Sequence, residues 1–389
     1  MYENAGMPKK SNLNARALAA HKKLKGKIAT ASKIKLRRMS DFSLYYTPGV
    51  GAVSTHLAAH PEEAREYTMK RNTVAVISDG SAVLGLGNIG PYGALPVMEG
   101  KAAIFKSLAD VDAVPLVLDT HEPEQIIETI VALAPAFGGI NLEDIASPQC
   151  FHIESELKKR LTIPAMHDDQ HGTAIVVLAG TLNALRVVKK RKEEVVVTIL
   201  GAGAAGTACA LLLARDGFAD IVVVDRQGVI GAGRGTLSPH KQQLAALSTR
   251  RRGRETLAEA VAGADVLIAL SGANTVSEAM VRSMAPRAIV FALANPTPEI
   301  MPAVALSAGA AVVATGRSDF PNQINNALVF PGMFRGALDH GVAAITDDIK
   351  LRAAYALAGL VKKPNARSIV PSLLDPRVVK AVAKSVKGR

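Results

Sequence analysis

The 389-residue chain has no Trp, only 4% aromatic residues and two cysteines, Cys150 and Cys209. Cores without large rings must be filled by Ala, Val, Leu and Ile, which suits short apolar strands covered by Ala-rich helices. Two cysteines this far apart exclude a disulfide framework or a zinc knuckle, and a reducing, cytoplasmic compartment is expected. No run approaches the ~20 consecutive apolar residues of a membrane span, so no membrane partner is expected. The basic N-terminus lacks the apolar core and cleavage site of a secretory signal, and it reads as part of the fold rather than as a transit peptide. Acidic residues are scarce there: residues 1–40 carry eleven Lys and Arg against Glu3 alone, and Arg250-Arg251-Arg252 with Arg254 forms a second basic run. Neither run is interleaved with aromatics that would stack on bases, so the net charge of +12 does not imply nucleic acid. A surface that attracts anionic substrate and cofactor explains it as well.

The length fits two domains or three. A helix is expected over 12–25, followed by a basic connector. Strands are expected over 73–77, 113–118 and 136–140, with a helix over 123–134 that has Pro at its start and Glu124 in its first turn. A helix over 173–188 then leads to the polar hinge 189–194. Strands over 195–200, 221–224, 266–270, 288–293 and 311–314 follow, and helices over 346–361 and 376–386 close the chain. Strands alternating with helices indicate parallel sheets. The expectation is a two-domain α/β protein, with an N-terminal α/β catalytic domain (1–165) that starts in a helix. A Rossmann-type doubly wound parallel sheet with C-terminal helices (166–389) would follow it.

The strand 195–200 runs into Gly201-Ala202-Gly203-Ala204-Ala205-Gly206 and then a helical run. The fingerprint thus sits at the strand-to-helix turn its mechanism requires. Gly201 permits the turn, Gly203 lets backbone approach a pyrophosphate, and Gly206 allows close helix–strand packing. The helix N-terminus offers free N–H groups to phosphate. Asp225, ending the next strand, suits a ribose 2′-hydroxyl, while Arg226 and Arg234 could meet a 2′-phosphate, which leaves NAD and NADP both open.

Glu143-Asp144 and Asp168-Asp169 each follow a strand. Three carboxylates from two strand ends would make a hard oxygen site for Mg²⁺ or Mn²⁺, or they could simply cap helices, and spacing alone does not choose. His167 and His171 are spaced i, i+4 but lack the accompanying Glu of a zincin. Tyr46 lies in the turn Tyr45-Tyr46-Thr47-Pro48-Gly49, where a Tyr commonly packs with its hydroxyl in solvent. Gly85, Gly87 and Gly90 punctuate a loop without a Walker ending, and a lone Lys such as Lys101 is ordinarily a surface residue.

Together these motifs resemble the malic enzyme family, specifically its short bacterial-type members. The likeness runs from Leu44-Tyr-Tyr-Thr-Pro-Gly-Val50 through Asp79–Gly90, Pro96–Lys101, Asn141–Asp144 and His167–Ala174. It continues through Gly201–Gly206, Ala294–Thr297 and Asn322–Asn326 to Phe330–Gly336. The resemblance implies oxidative decarboxylation of malate to pyruvate with reduction of NAD or NADP, dependent on Mg²⁺ or Mn²⁺. It implies Lys101 as general base, with a pKa lowered by burial and a metal cation, Asp168 orienting it, and Tyr46 protonating the enol carbon. It implies Glu143, Asp144 and Asp169 as metal ligands. Asn295 and Asn326 would hold substrate carboxylate, and Asn295 and Thr173 would lie beside the cofactor. A homodimer is implied too, with the Tyr46 region reaching a neighbour's site. One position departs from the large animal-type members: their carboxylate-gripping Arg is replaced by Ala82, so the asparagines, the metal and backbone N–H groups of 85–90 must do that work.

Overall fold

A computed structural model describes residues 10–231, 233–247 and 255–387. The basic run at 250–254 therefore lies outside the described residues. Two parallel sheets organise the chain. The first has four strands, β1 (Thr73–Ser78), β2 (Asp112–Val117), β3 (Gly139–Leu142) and β4 (Ala165–His167), in the order β2-β1-β3-β4. The second has six: β5 (Val196–Leu200), β6 (Asp220–Asp225), β7 (Gly228–Val229), β8 (Val266–Ala269), β9 (Ile289–Ala292) and β10 (Val312–Thr315). Their order is β10-β9-β8-β5-β6-β7, with only the edge pair β6–β7 antiparallel. The strand order reverses beside β5, which puts the glycine turn at the switch point where doubly wound sheets bind ligands.

Burial on both faces explains the near-continuous apolar strands. Ile126, Ile127 and Ile130 of the helix Pro123–Leu133 and Ile153 and Leu157 of the helix Gln149–Arg160 cover one face of the first sheet. A larger core joins the two sheets through the helix Asp168–Val188, whose Ile175 to Ala179 are inaccessible to solvent. Among the described helices this one alone reaches the length and apolarity of a membrane span, yet 72% of its apolar window is buried inside the protein. The C-terminal helices return to the first sheet: Phe330 and Phe334 of the helix Phe330–His340 set their rings 4.7 and 5.6 Å from that of Phe105.

Three local readings need correcting. Pro135 makes 134–136 a 3₁₀ turn, so the third strand starts at Gly139 rather than 136. The helix expected from 173 starts at Asp168, because Asp168 and Asp169 fit the positive first turn of a helix and Gly172 does not break it. The helix Gly90–Ala109, with Pro91 at its start and Pro96 inside it, carries Lys101 and was not expected.

Candidate active site

The C-terminal ends of β1, β3 and β4 and the loops after β8, β9 and β10 enclose a cleft of about 890 Å³. Lys101, Glu143, Asp144, Asp169, Thr173, Asn295 and Asn326 all line it. Thus seven of the expected residues, spread over more than two hundred positions, converge on one cavity.

Lys101 is 7% exposed and sits at the centre of the acidic group. Its Nζ donates to Asp168 Oδ2 at 2.6 Å and lies 2.7 Å from Glu143 Oε1. The Phe330 ring centroid is 4.2 Å away and screens the ammonium from water. Asp168 is wholly buried behind Lys101, and its placement requires Gly172: a Cβ there would come 1.9 Å from Asp168 Oδ1. Glu143 is oriented by Asn141, whose Nδ2 donates to Oε2 at 2.9 Å.

A lowered Lys101 pKa was expected from burial together with a metal cation, and the side chains by themselves set the opposite direction. Burial works to lower it, but the carboxylates of Asp168, Glu143 and Asp169 outweigh burial and hold the ammonium above the ordinary lysine range. The carboxylates outnumber the cation, and burial raises Glu143 well above its usual range. Asp144 is pushed up to about 7 by burial and by the charge of Asp169. Such an excess of buried negative charge calls for a further cation.

The geometry fits a divalent one. Glu143, Asp144 and Asp169 can each present an oxygen within 4.8 Å of the others, and Asp144 Oδ2 is buried without a hydrogen-bond partner. Asp144 holds this position through a left-handed backbone (φ 54°). All-oxygen, acid-rich donor sets suit Mg²⁺ or Mn²⁺. Zinc finds no support at the paired histidines: His171 Nε2 is 2.8 Å from Glu154 Oε2, and His167 is wholly buried with neither ring nitrogen hydrogen-bonded.

The glycine turn follows the expected design. Gly201 has φ +116°, and a Cβ at Gly206 would come 1.9 Å from the Gly201 carbonyl oxygen. The helix Ala204–Arg215 can therefore begin tight against the end of β5, and Ala205 opens onto the cleft beside Thr173. Asp225, at the end of β6, is engaged by Arg234 at 2.7 Å and by Lys241 at 2.7 Å. Lys241 was not foreseen; it sits in the first turn of the helix Pro239–Leu247, where no motif marks it.

Tyr46 is not brought to the cleft of its own chain. It is 67% exposed and does not line the cavity. The helices Met39–Tyr45 and Val50–Ala59 around it bury no residue, and Met39, Leu44 and Tyr45 are exposed beside it. Sequence reasoning also missed His21 and Lys27, which line the cleft, and two buried acids that shape it. Glu299 accepts the backbone N–H groups of Ser271 at 2.7 Å and Ala294 at 3.0 Å, tying together the loops after β8 and β9. Glu154 accepts the backbone N–H of His167 at 2.9 Å, fixing the turn before Asp168.

Two family models match the chain: the malic enzyme N-terminal domain over residues 25–158 and the malic enzyme NAD-binding domain over 170–387. A NAD-dependent malic enzyme of Geobacillus stearothermophilus is 50% identical over 377 residues, covering 96% of this chain and 78% of that protein. A bifunctional malic/malolactic enzyme of Bacillus subtilis is 49% identical over 96% of this chain and 92% of its own length. An NADP-dependent malic enzyme of Escherichia coli is 43% identical over 93% of this chain and 50% of its own. The crystal structure of a NAD-dependent malic enzyme from Thermotoga maritima superposes with a TM-score of 0.93 at 46% identity, covering 96% and 99% of the two chains.

Proposed function

The chain belongs to the malic enzyme family, and from that premise we propose how its residues carry out the family's reaction. That reaction is the NAD(P)-dependent oxidative decarboxylation of malate to pyruvate and CO₂. The observation that carries the assignment of roles is the buried Lys101–Asp168 pair, set against a three-carboxylate cluster in one cleft.

Glu143, Asp144 and Asp169 are the residues that would hold Mg²⁺ or Mn²⁺. When bound, the metal supplies Lewis acidity and the nicotinamide supplies the hydride acceptor. Positive charge at the cluster removes the countercharge that holds Lys101 protonated, and so prepares its amine to act as a base. Lys101 then takes the proton of the malate C2 hydroxyl as the C2 hydride departs, and Asp168 holds the resulting ammonium in place. Asn295 and Asn326 donate hydrogen bonds to substrate carboxylate. After C4 leaves as CO₂, Tyr46 returns a proton to C3 and pyruvate forms.

Tyr46 reaches this chemistry from a second subunit. The apolar, unburied segment that carries it fits a homodimer in which each protomer completes its neighbour's cleft. Asp225 and the glycine turn Gly201–Gly206 are the residues that would hold the dinucleotide, Gly201, Ala202, Gly203 and Ala204 through backbone groups at its pyrophosphate. Thr173 lies beside it. The test of these roles is malate turnover, followed as NADH or NADPH absorbance, in Lys101→Ala. Loss of turnover with metal binding retained supports them, and near wild-type activity overturns them.

A further inference from the structure

The first turn of the Asp168–Val188 helix separates two cavities. Asp169 and Thr173 line the active-site cleft. Gln170 and His171, rotated about 100° per residue around the same turn, line a second cleft of about 1020 Å³. This second cleft is bounded by the helix Gln149–Arg160 on the first-sheet side and by the helices Ala204–Arg215 and Pro239–Leu247 on the other. Phe151 and His240, both in its lining, pack against each other with ring centroids 4.7 Å apart. Neither Asp225 nor any of Gly201–Gly206 lines it; Thr207, Ala208, Leu211 and Arg215 of the following helix do.

The floor of this cleft carries buried donors beside one acid, Asp347. Lys350 is 5% exposed, and its ammonium, which has three N–H donors, finds one hydrogen-bond acceptor among the described residues, Asp347 Oδ1 at 3.0 Å. Burial and the nearby charge of Lys158 press its pKa down, and the carboxylates of Asp347 and Glu154 offset them only in part. Gln170 is 4% exposed, and its Nε2 has no hydrogen-bond partner. Arg215 stands on the rim, where its guanidinium lies 3.9 Å from Asp348 Oδ1. The rim acid Glu156 is already taken by Lys159 at 2.6 Å. A cation would meet the wrong groups here, and an apolar ligand would desolvate Lys350 further without pairing it.

We propose that this second cleft is a binding site for a small phosphate-bearing anion, held by Lys350, Gln170 and Arg215. A phosphate monoester carries close to two negative charges over three terminal oxygens, which matches the two cations Lys350 and Arg215 with Gln170 beside them better than the single charge of a carboxylate does. The remaining volume, bounded by Phe151 and His240, accommodates an organic moiety attached to the phosphate. The site adjoins the active site. Gln170 and His171 share a helical turn with Asp168 and Asp169, and Glu154 clamps that turn at both ends, through the His167 N–H at 2.9 Å and His171 at 2.8 Å.

The test is calorimetric titration of the full-length chain, saturated with dinucleotide and Mg²⁺, using phenyl phosphate, with inorganic phosphate and benzoate as separate arms. The proposal expects saturable binding of phenyl phosphate, weakened about tenfold or more by Lys350→Met and severalfold by Arg215→Gln on the exposed rim. Malate turnover without added phosphate should stay within about twofold of wild type in both variants. Tighter binding of phenyl phosphate than of inorganic phosphate would show that the organic moiety is held as well. Unchanged affinity in both variants, no saturation by about 10 mM, or benzoate binding as tightly as phenyl phosphate would overturn it.

Discussion

The backbone N–H of Asp144 donates to Oδ2 of Asp169 at 2.8 Å. This single bond joins the end of β3 to the first turn after β4, so the carboxylates that form one ligand set are registered to one another before any ion arrives. Asp169→Asn keeps the shape, removes a charge and weakens that bond. Mn²⁺ affinity, measured by electron paramagnetic resonance of the free ion, should fall on the order of 10–100-fold, as for other losses at the ligand shell. An unchanged affinity would place the metal elsewhere.

Metal affinity should also depend on pH with a definite sign. Asp144, raised to about 7 by burial and by Asp169, carries a proton at mildly acidic pH that a metal ion must displace. Mn²⁺ affinity should therefore rise between about pH 6 and 8, with net proton release visible as a buffer-dependent binding enthalpy. Affinity that is flat or falls with pH across that range would contradict the assignment of Asp144 as a ligand.

Removing the lysine separates its two effects. Lys101→Ala deletes the proposed base, so turnover should drop by about three orders of magnitude or more. The same change removes a positive charge from beside the carboxylate cluster, so Mn²⁺ should bind at least as tightly as before. Loss of metal binding together with activity would mean that Lys101 supports the fold of the site and not the proton transfer.

Exchange of Tyr46 between subunits can be read from mixed dimers. Tyr46→Phe and Lys101→Ala homodimers should each be nearly inactive. When the two are unfolded and refolded together, heterodimers would contain one intact site, and about a quarter of wild-type activity should return. No recovery, with heterodimers shown to form, would place Tyr46 in its own subunit's cleft.

Much of this site could be read in the chain because its signals are local. Gly201, Gly203 and Gly206 lie in one turn between an apolar strand and a helix, and each acidic pair directly follows a strand. What could not be read depends on packing at long range. Lys101 and Asp168 are 67 residues apart, and only the burial of the helix Gly90–Ala109 against the core brings them together. That helix was hidden because Gly90, Gly93, Pro96 and Gly100 are poor helix formers, and tertiary contacts override their propensities. Glu154 and Glu299 act through backbone N–H groups, which carry no residue-specific pattern. The raised pKa of Lys101 reflects the summed charge of three carboxylates from two other segments, Glu143 after β3 and Asp168-Asp169 after β4.

The most direct test of the whole account is a steady-state assay with (S)-malate, NAD or NADP, and Mn²⁺, following reduced dinucleotide, pyruvate and CO₂ in parallel. The account predicts that all three form in equal amounts and that formation stops on chelation and returns when Mn²⁺ is restored. Reduced dinucleotide without CO₂, or turnover unaffected by exhaustive chelation, would contradict it.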